Sequence, residues 1–530
     1  ALRATTGAQN TAVGAQASVN MGGGANNVSL GMNSLLDVVD GSQNVAIGSQ
    51  AIGGTLGTTA DNASDLIAIG YQALGGNWEN VALTDNIAIG TSAMGGAING
   101  AINCIAIGRE TLDGVLTTGA NGTVGIGYQA LKALTTGQYN TAIGFEAGLV
   151  LTELDKNTLI GYQAGKALSG SAGGGTHTFV GYKAGAANTI GNSNTFVGSE
   201  AGTSITNGLQ NTAMGRGALA TADGGETNNV AIGMFAMNSV NNDSSDDNIC
   251  LGTNAGKGGT GTFSRNVAIG TVALENSAGN VTYNNVAIGY NSANDLSGGH
   301  SNVMVGYGTG DVATTASGSV FLGFDAGGTL TTGNDNIAIG NDAMNGGVTT
   351  GDNNIAIGAS AGDALTSGYS NTFLGNDSGG TITTGHSNTF IGKNAATNNN
   401  SGTQKTTAIG ASAGANGDSD ESIFIGFAAA GSGTKTNATD GTVAIGKSSL
   451  GSLTSGAGNI AIGLQSLDAL TEAADNLAIG FGALTTSSNV NAARNIAIGN
   501  YALELLNSDG RDNIAIGYEA LETANHADID

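Results

Sequence analysis

Proline is absent from all 530 residues. Proline cannot donate to a backbone ladder, so its absence suits a chain that pairs in every coil. Cysteine occurs twice, as Cys104 and Cys250. On the repeat described below they lie eight units apart, roughly 38 Å at one strand spacing per unit, too far for a disulfide. Cys250 replaces a small apolar strand residue and Cys104 replaces an asparagine, so both read as buried structural thiols. Two cysteines do not identify a redox compartment. Aromatic residues make up 5% and charged residues 10%, which argues against a large globular core, and with 40% apolar residues the chain is not a disordered one. Lys and Arg number 15 against 40 Asp and Glu, a net charge of −25. Phosphate backbones are bound by cations, so a nucleic-acid partner is excluded. An acidic surface instead gathers a loose atmosphere of divalent cations such as Ca2+, with no resident cofactor or metal. No run of 18 apolar residues exists, so no segment is expected to insert directly into a membrane as a helix. Residues 1–30 lack a charged-then-apolar signal segment, and both ends fall inside repeats, so a mature piece or a fragment is expected.

What the chain has is glycine, 92 of them, and a repeated stretch. Asn44 to Gly48 reads NVAIG, Asn140 to Gly144 NTAIG, Asn285 to Gly289 NVAIG, Asn388 to Gly392 NTFIG and Asn513 to Gly517 NIAIG. Anchored on the last glycine, 29 copies run from Gly14 to Gly517, about 18 residues apart and most often 17. A fixed short period marks a solenoid. The fold class expected is all-β, a parallel β-solenoid of about 29 short coils, elongated, as one repeat domain over 1–530 with degenerate first repeats in 1–31.

Counting from the anchor glycine, position −1 is Ile, Val, Leu or Met, and −3 is Thr, Val or Ile in 28 copies. Position −2 is usually Ala, but Phe at 179, 196, 321, 373, 390 and 424. Position −4 is Asn in 21 copies. Residues −3 and −1 share one face of a strand, −4 and −2 the other. Both faces are largely apolar, which suits a strand covered on both sides. The β-branched −3/−1 face is assigned to the interior. The small −2 face then needs a cover, which predicts oligomerisation through Ala287 and through Phe179, Phe196, Phe321, Phe373, Phe390 and Phe424. Four of the six Phe follow Thr at −3, a pattern that suggests compensation between the two faces. The unvarying glycine marks positive φ or close backbone approach. Asn at −4 can satisfy corner backbone groups and stack as an amide ladder; Asn44, Asn140, Asn285, Asn388 and Asn513, with Gly48, Gly144, Gly289, Gly392 and Gly517, represent it. Position +3 is Ala, Ser or Thr throughout, predicting a tight second leg, strand or single helical turn. Position +1 is aromatic in 11 copies, read first as packing and second as a sugar-stacking stripe. Trp78 lies in a connecting segment and is a candidate exposed contact.

Several apparent motifs dissolve into the repeat. Gly441 to Ser448 matches GxxxxGKS, but its spacer is the repeat's own strand, without the helix that a phosphate loop requires. Gly125 to Ala130 resembles GxGxxA for the same reason. His300 and His386 share a repeat position five coils apart, roughly 24 Å, and form no metal cluster. Longer coils carry polar insertions, Thr58 to Asn62 and Thr434 to Asn437. Acidic groups fall in connecting segments: Asp243, Asp246 and Asp247; Asp418, Asp420 and Glu421; Asp509 and Asp512. Nothing arranges them as glycosidase carboxylates facing a groove. No catalytic constellation is present, and the chain is not expected to be an enzyme.

The NVAIG and NTAIG units, each followed by a small residue three places on, resemble the head repeats of trimeric autotransporter adhesins of the YadA type, over essentially the whole chain. Related NTAIGYQAG-like arrays resemble phage tail-fibre shafts. The resemblance implies a left-handed β-roll, three chains around one axis, and an extracellular place at a cell surface or on a virion, where loops or a tip bind a surface receptor or glycan. The units here are longer than the adhesin repeat, and no stalk heptads, anchor or chaperone domain accompany them. Alternative readings are an ice-binding solenoid, which needs a flat threonine array, and a polysaccharide-degrading tailspike.

Overall fold

A computed structural model describes all residues except 1–5, 55–61, 79–82, 171–174, 223, 278–280, 400, 418, 437–438, 486–491, 507–509 and 525–530. The insertion residues Thr58 to Asp61, Asp418, Asn437 and Asp509 therefore lie outside the described residues. The chain divides into two compact units, 1–266 and 267–530. Both are parallel β-solenoids. Among the described residues the first unit contributes fourteen three-residue ladder strands, from Thr11–Val13 to Ile249–Leu251, and the second fifteen, from Val267–Ile269 to Ile514–Ile516. Each strand pairs in register with the strand one coil away: Thr141, Ala142 and Ile143 face Thr158, Leu159 and Ile160, and Val286, Ala287 and Ile288 face Val303, Met304 and Val305. Among the described residues helix is limited to short 3-10 turns such as Thr118–Ala120.

The anchor glycine has both properties its constancy predicted. At Gly90 φ is +134°, and a Cβ there would lie 2.6 Å from the carbonyl oxygen of Gly108 in the next coil. The asparagine ladder is present as well. The Asn140 side-chain oxygen accepts the Asn157 backbone N–H at 3.0 Å and its Nδ2 at 2.9 Å. Asn140 Nδ2 donates to the Leu154 carbonyl at 2.8 Å, a corner group of the next coil. Asn44 repeats this toward Ala63, Asn285 toward Gly299 and Asn388 toward Thr403, and Asn513 N–H closes onto Asn495 Oδ1. Each amide satisfies otherwise orphaned backbone groups in a dry interior.

The faces of the strand are the reverse of the expected ones. Position −2 points inward: Ala287, Phe179, Phe196, Phe321, Phe373, Phe390 and Phe424 are all fully buried inside their own chain. They line no interface. The −3/−1 residues point outward and remain partly exposed, as the alternating strand pattern shows. The reason is thinness. A coil of about 17 residues encloses a thin interior that the −2, +3 and +4 side chains fill, so the β-branched −3 and −1 residues are placed outside.

The second leg is neither strand nor helix. It is a run of turns with left-handed residues at +2 and +4, in many coils not glycine: Gln129 at φ 55° and Leu131 at φ 51°. The alternation sends one N–H to each neighbouring coil. Gln129 N–H donates back to Arg109 O at 3.0 Å and Leu131 N–H forward to Ala147 O at 3.0 Å. These bonds offset the cost of left-handed backbone.

Interior volume is balanced between −2 and +4, not between −2 and −3. Where −2 is Ala, +4 is usually a long side chain: Ala106 with Leu112, Ala213 with Leu219, Ala461 with Leu467, all buried. Where −2 is Phe, +4 shrinks. A Cβ on Gly202 would stand 2.5 Å from the Phe196 ring, and one on Gly379 2.8 Å from Phe373. The ring fills from the strand side the space that Leu fills from the turn side. Trp78 is fully buried too, bridging to Ile98, and is no surface contact.

Candidate functional site: the outer apolar stripe

The outward −3 and −1 side chains form two parallel columns in each unit. Ile249, Val303, Ile423 and Ile460 are 37–42% exposed. In all 29 copies these positions hold only Ile, Val, Leu, Met or Thr, never a charge. Aliphatic side chains at consecutive rungs, one strand spacing apart, make a contiguous apolar face. Monomeric proteins rarely leave more than a few hundred Å² of such surface open. Sequence reasoning placed this face inside because both faces read as apolar. The signal that could have placed it correctly is parity: Asn −4 must turn inward to reach corner carbonyls, and −2 shares its face.

Beside the stripe the +1 rings stack coil on coil. Tyr128, Phe145, Tyr162 and Tyr182 have centroids 5.0, 5.3 and 5.3 Å apart, and Tyr290, Tyr307 and Phe324 5.3 and 5.0 Å apart. Their faces cover one another and only edges meet water. A sugar stacks on an open ring face, so the interior members of these columns offer none.

Two of the ladder's polar substitutes keep its chemistry. His177 stands at an Asn position: its N–H donates to Asn157 Oδ1 at 2.9 Å, Nε2 reaches Gly191 O at 2.9 Å and Nδ1 accepts Asn194 N–H at 3.4 Å. Donor at Nε2 and acceptor at Nδ1 require the neutral ring, and burial pushes its pKa down to about 4. Cys104 donates its thiol to Ala120 O at 3.2 Å, with burial raising its pKa. Lys435, within the polar insertion Thr434 to Asn437, is buried. Its Nζ donates to the carbonyls of Ala415 (2.7 Å), Asn416 (3.0 Å) and Gly433 (3.3 Å), and burial lowers its pKa to about 7.

The acidic segments serve as caps. Asp246 accepts Thr227 N–H at 2.7 Å, Asp243 accepts Gly225 N–H at 3.2 Å and Asp420 accepts Gln404 N–H at 2.9 Å. Asp512 pairs with Arg494 at 2.7 Å. His300 and His386 do not meet; each stacks on the tyrosine one coil before it, Tyr283 and Tyr369, at 4.7 Å. In the GxxxxGKS stretch, Val443–Ile445 is a ladder strand and Lys447 lies 5.9 Å over the Phe427 ring. Among the described residues no three His, Cys, Asp or Glu side chains converge as metal ligands, and no helix is long and apolar enough to cross a membrane. No protein-family model and no curated protein matches the chain.

Proposed function

We propose that the chain is one subunit of a homotrimeric, non-enzymatic fibre shaft or head, extracellular, at a cell or virion surface. The single observation that carries this is the uncharged outer stripe of −3 and −1 side chains. Its rungs repeat at strand spacing, and a surface matched to it rung for rung over so many coils is another copy of the same solenoid. An apolar face with that regularity loses water most completely against its own kind. Three copies, rather than two, and the surface setting follow from the resemblance to adhesin heads and fibre shafts. Contact with a receptor or glycan belongs to the connecting loops, whose polar side chains reach water. Sedimentation equilibrium tests the assembly: the reading expects about three times the 51.6 kDa chain mass, and a stable monomer overturns it.

A further inference from the structure

The stripe is almost uniform along its length, and uniformity creates a problem of register. If copies slide by one rung, about 4.8 Å, Ile still meets Ile or Val and little is lost. Besides a single threonine on the first rung, Thr11, two blocks break the uniformity. In the first unit the −3 column carries threonine on five consecutive rungs, Thr141, Thr158, Thr178, Thr195 and Thr212, bounded by Val124 and Val230. In the second it carries three, Thr372, Thr389 and Thr407, bounded by Ile355 and Ile423.

Among the described residues, the hydroxyls of these eight make no hydrogen bond. Threonines of the turns behave differently. Thr135, Thr189 and Thr366 each donate to a backbone carbonyl of the next coil, those of Thr152, Thr206 and Thr383. The −3 hydroxyls are thus the ones left with bonding capacity on the outer face. Buried against aliphatic side chains, each would lose water and gain nothing; buried against another −3 threonine, donor and acceptor meet. Polar residues within an apolar seam set register in this way.

We propose that the two threonine blocks fix the axial register in which copies of the chain join. The proposal rests on the reading of the stripe as an interface between copies. Each block meets its own copy in full only at zero offset; a slip of one rung leaves a hydroxyl facing Val or Ile at both ends of that block.

The test uses the whole chain, carrying Val286→Cys in one preparation and Val303→Cys in another. These are neighbouring rungs of the −3 column. The two are refolded together in an oxidising redox buffer, so that thiols brought face to face pair directly as disulfides, and the linked pairs are identified by mass spectrometry; Cys104 and Cys250 are buried. Expected in the native background is an excess of same-site over mixed-site pairs of roughly tenfold or more. With all eight threonines changed to Val, the excess should fall to near unity while sedimentation still shows the assembled mass. Assembly with an undiminished excess in the eightfold variant would overturn the register proposal alone. A monomer in the native background would overturn the interface reading and the proposal with it.

Discussion

The coils opened by the strands Ile105–Ile107 and Val124–Ile126 in the first unit and by Val320–Leu322 and Thr372–Leu374 in the second are built with opposite choices. In the first, the strand contributes Ala106 and Gly125, and the turn leg fills the interior with Leu112 and Leu131. In the second, Phe321 and Phe373 fill it from the strand, and Gly327 and Gly379 stand back in the turn leg. The outer corner differs as well. In the first, Glu110 is held by Lys132 at 2.7 Å and Arg109 at 3.0 Å, and Glu146 by Lys166 at 2.6 Å. In the second, Asp311, Asp325 and Asp363 are raised above the usual carboxylate range by burial and then by neighbouring carboxylates, Asp325, Asp342 and Asp377 respectively. The shared frame is the glycine corner and the −4 ladder. What it demands of the interior is a constant volume; of the outer corner it demands nothing so strict, and charge there varies freely.

The largest expected effect comes from breaking the volume rule. Phe321→Ala should destabilise the second unit by about 3–5 kcal/mol, the range for emptying a buried aromatic site. Adding Gly327→Leu should recover much of that, because Leu at +4 adopts the required φ elsewhere, 51° at Leu131. Gly327→Leu alone should be damaging, since its Cβ would approach the Phe321 ring to 2.9 Å. Denaturant unfolding of the three variants decides it; failure of the double variant to exceed both singles would refute the exchange.

A smaller effect separates an imidazole rung from amide rungs. The His177 pKa is depressed from 6.5 to about 4. The stability carried by its neutral ring is therefore complete above about pH 6.5 and lost as pH falls through 4. The loss should reach ~3 kcal/mol below that. Hydrogen exchange should show the coils around Thr178–Val180 opening in acid while those around Thr372–Leu374 do not, and His177→Asn should abolish the difference.

The smallest effect concerns the corners. The Lys132 hydrogen bond, the largest cause, holds Glu110 down to about 2, so its contribution is present above pH 4.5 and fades as pH falls toward 2. Asp311, Asp325 and Asp363 are raised by burial first and by neighbouring carboxylates second, so the cost of their charge is absent in acid and grows as pH rises through their folded-state values. Moderate acidification should protect the second unit's corner more than the first's, where burial raises Asp113 but Glu110 and Glu146 are held down by their lysines. Added Ca2+ at neutral pH should likewise favour the second. Equal responses, read by exchange corrected for intrinsic rates, would remove the distinction.

The period, the corner glycine and the amide ladder were legible because each needs one residue type at one position. The faces were not. Ala at −2 and Ile at −1 both read as apolar, and hydropathy does not say which of two apolar faces meets solvent or a partner. The turn-built second leg was hidden because left-handed Gln129 and Leu131 carry no glycine signal. The −2/+4 exchange was present in the sequence, in pairs such as Phe196 with Gly202, but is visible only once both are known to point into one interior. Trp78 and Lys435 sit in connecting segments whose polarity masks burial.

The central claim is that −2 closes the coil and −3/−1 joins copies. Thiol-labelling rates of three single variants, Ala287→Cys, Val286→Cys and Ser244→Cys, test it most directly, since Cys104 and Cys250 are themselves buried. Ser244 lies on an exposed connecting segment and should label at once. Ala287→Cys should stay silent at every concentration at which the chain is folded. Val286→Cys should be silent in the assembly and become reactive on dilution into separate, still-folded chains. Labelling of Val286→Cys as fast as Ser244→Cys in concentrated native protein would contradict the account.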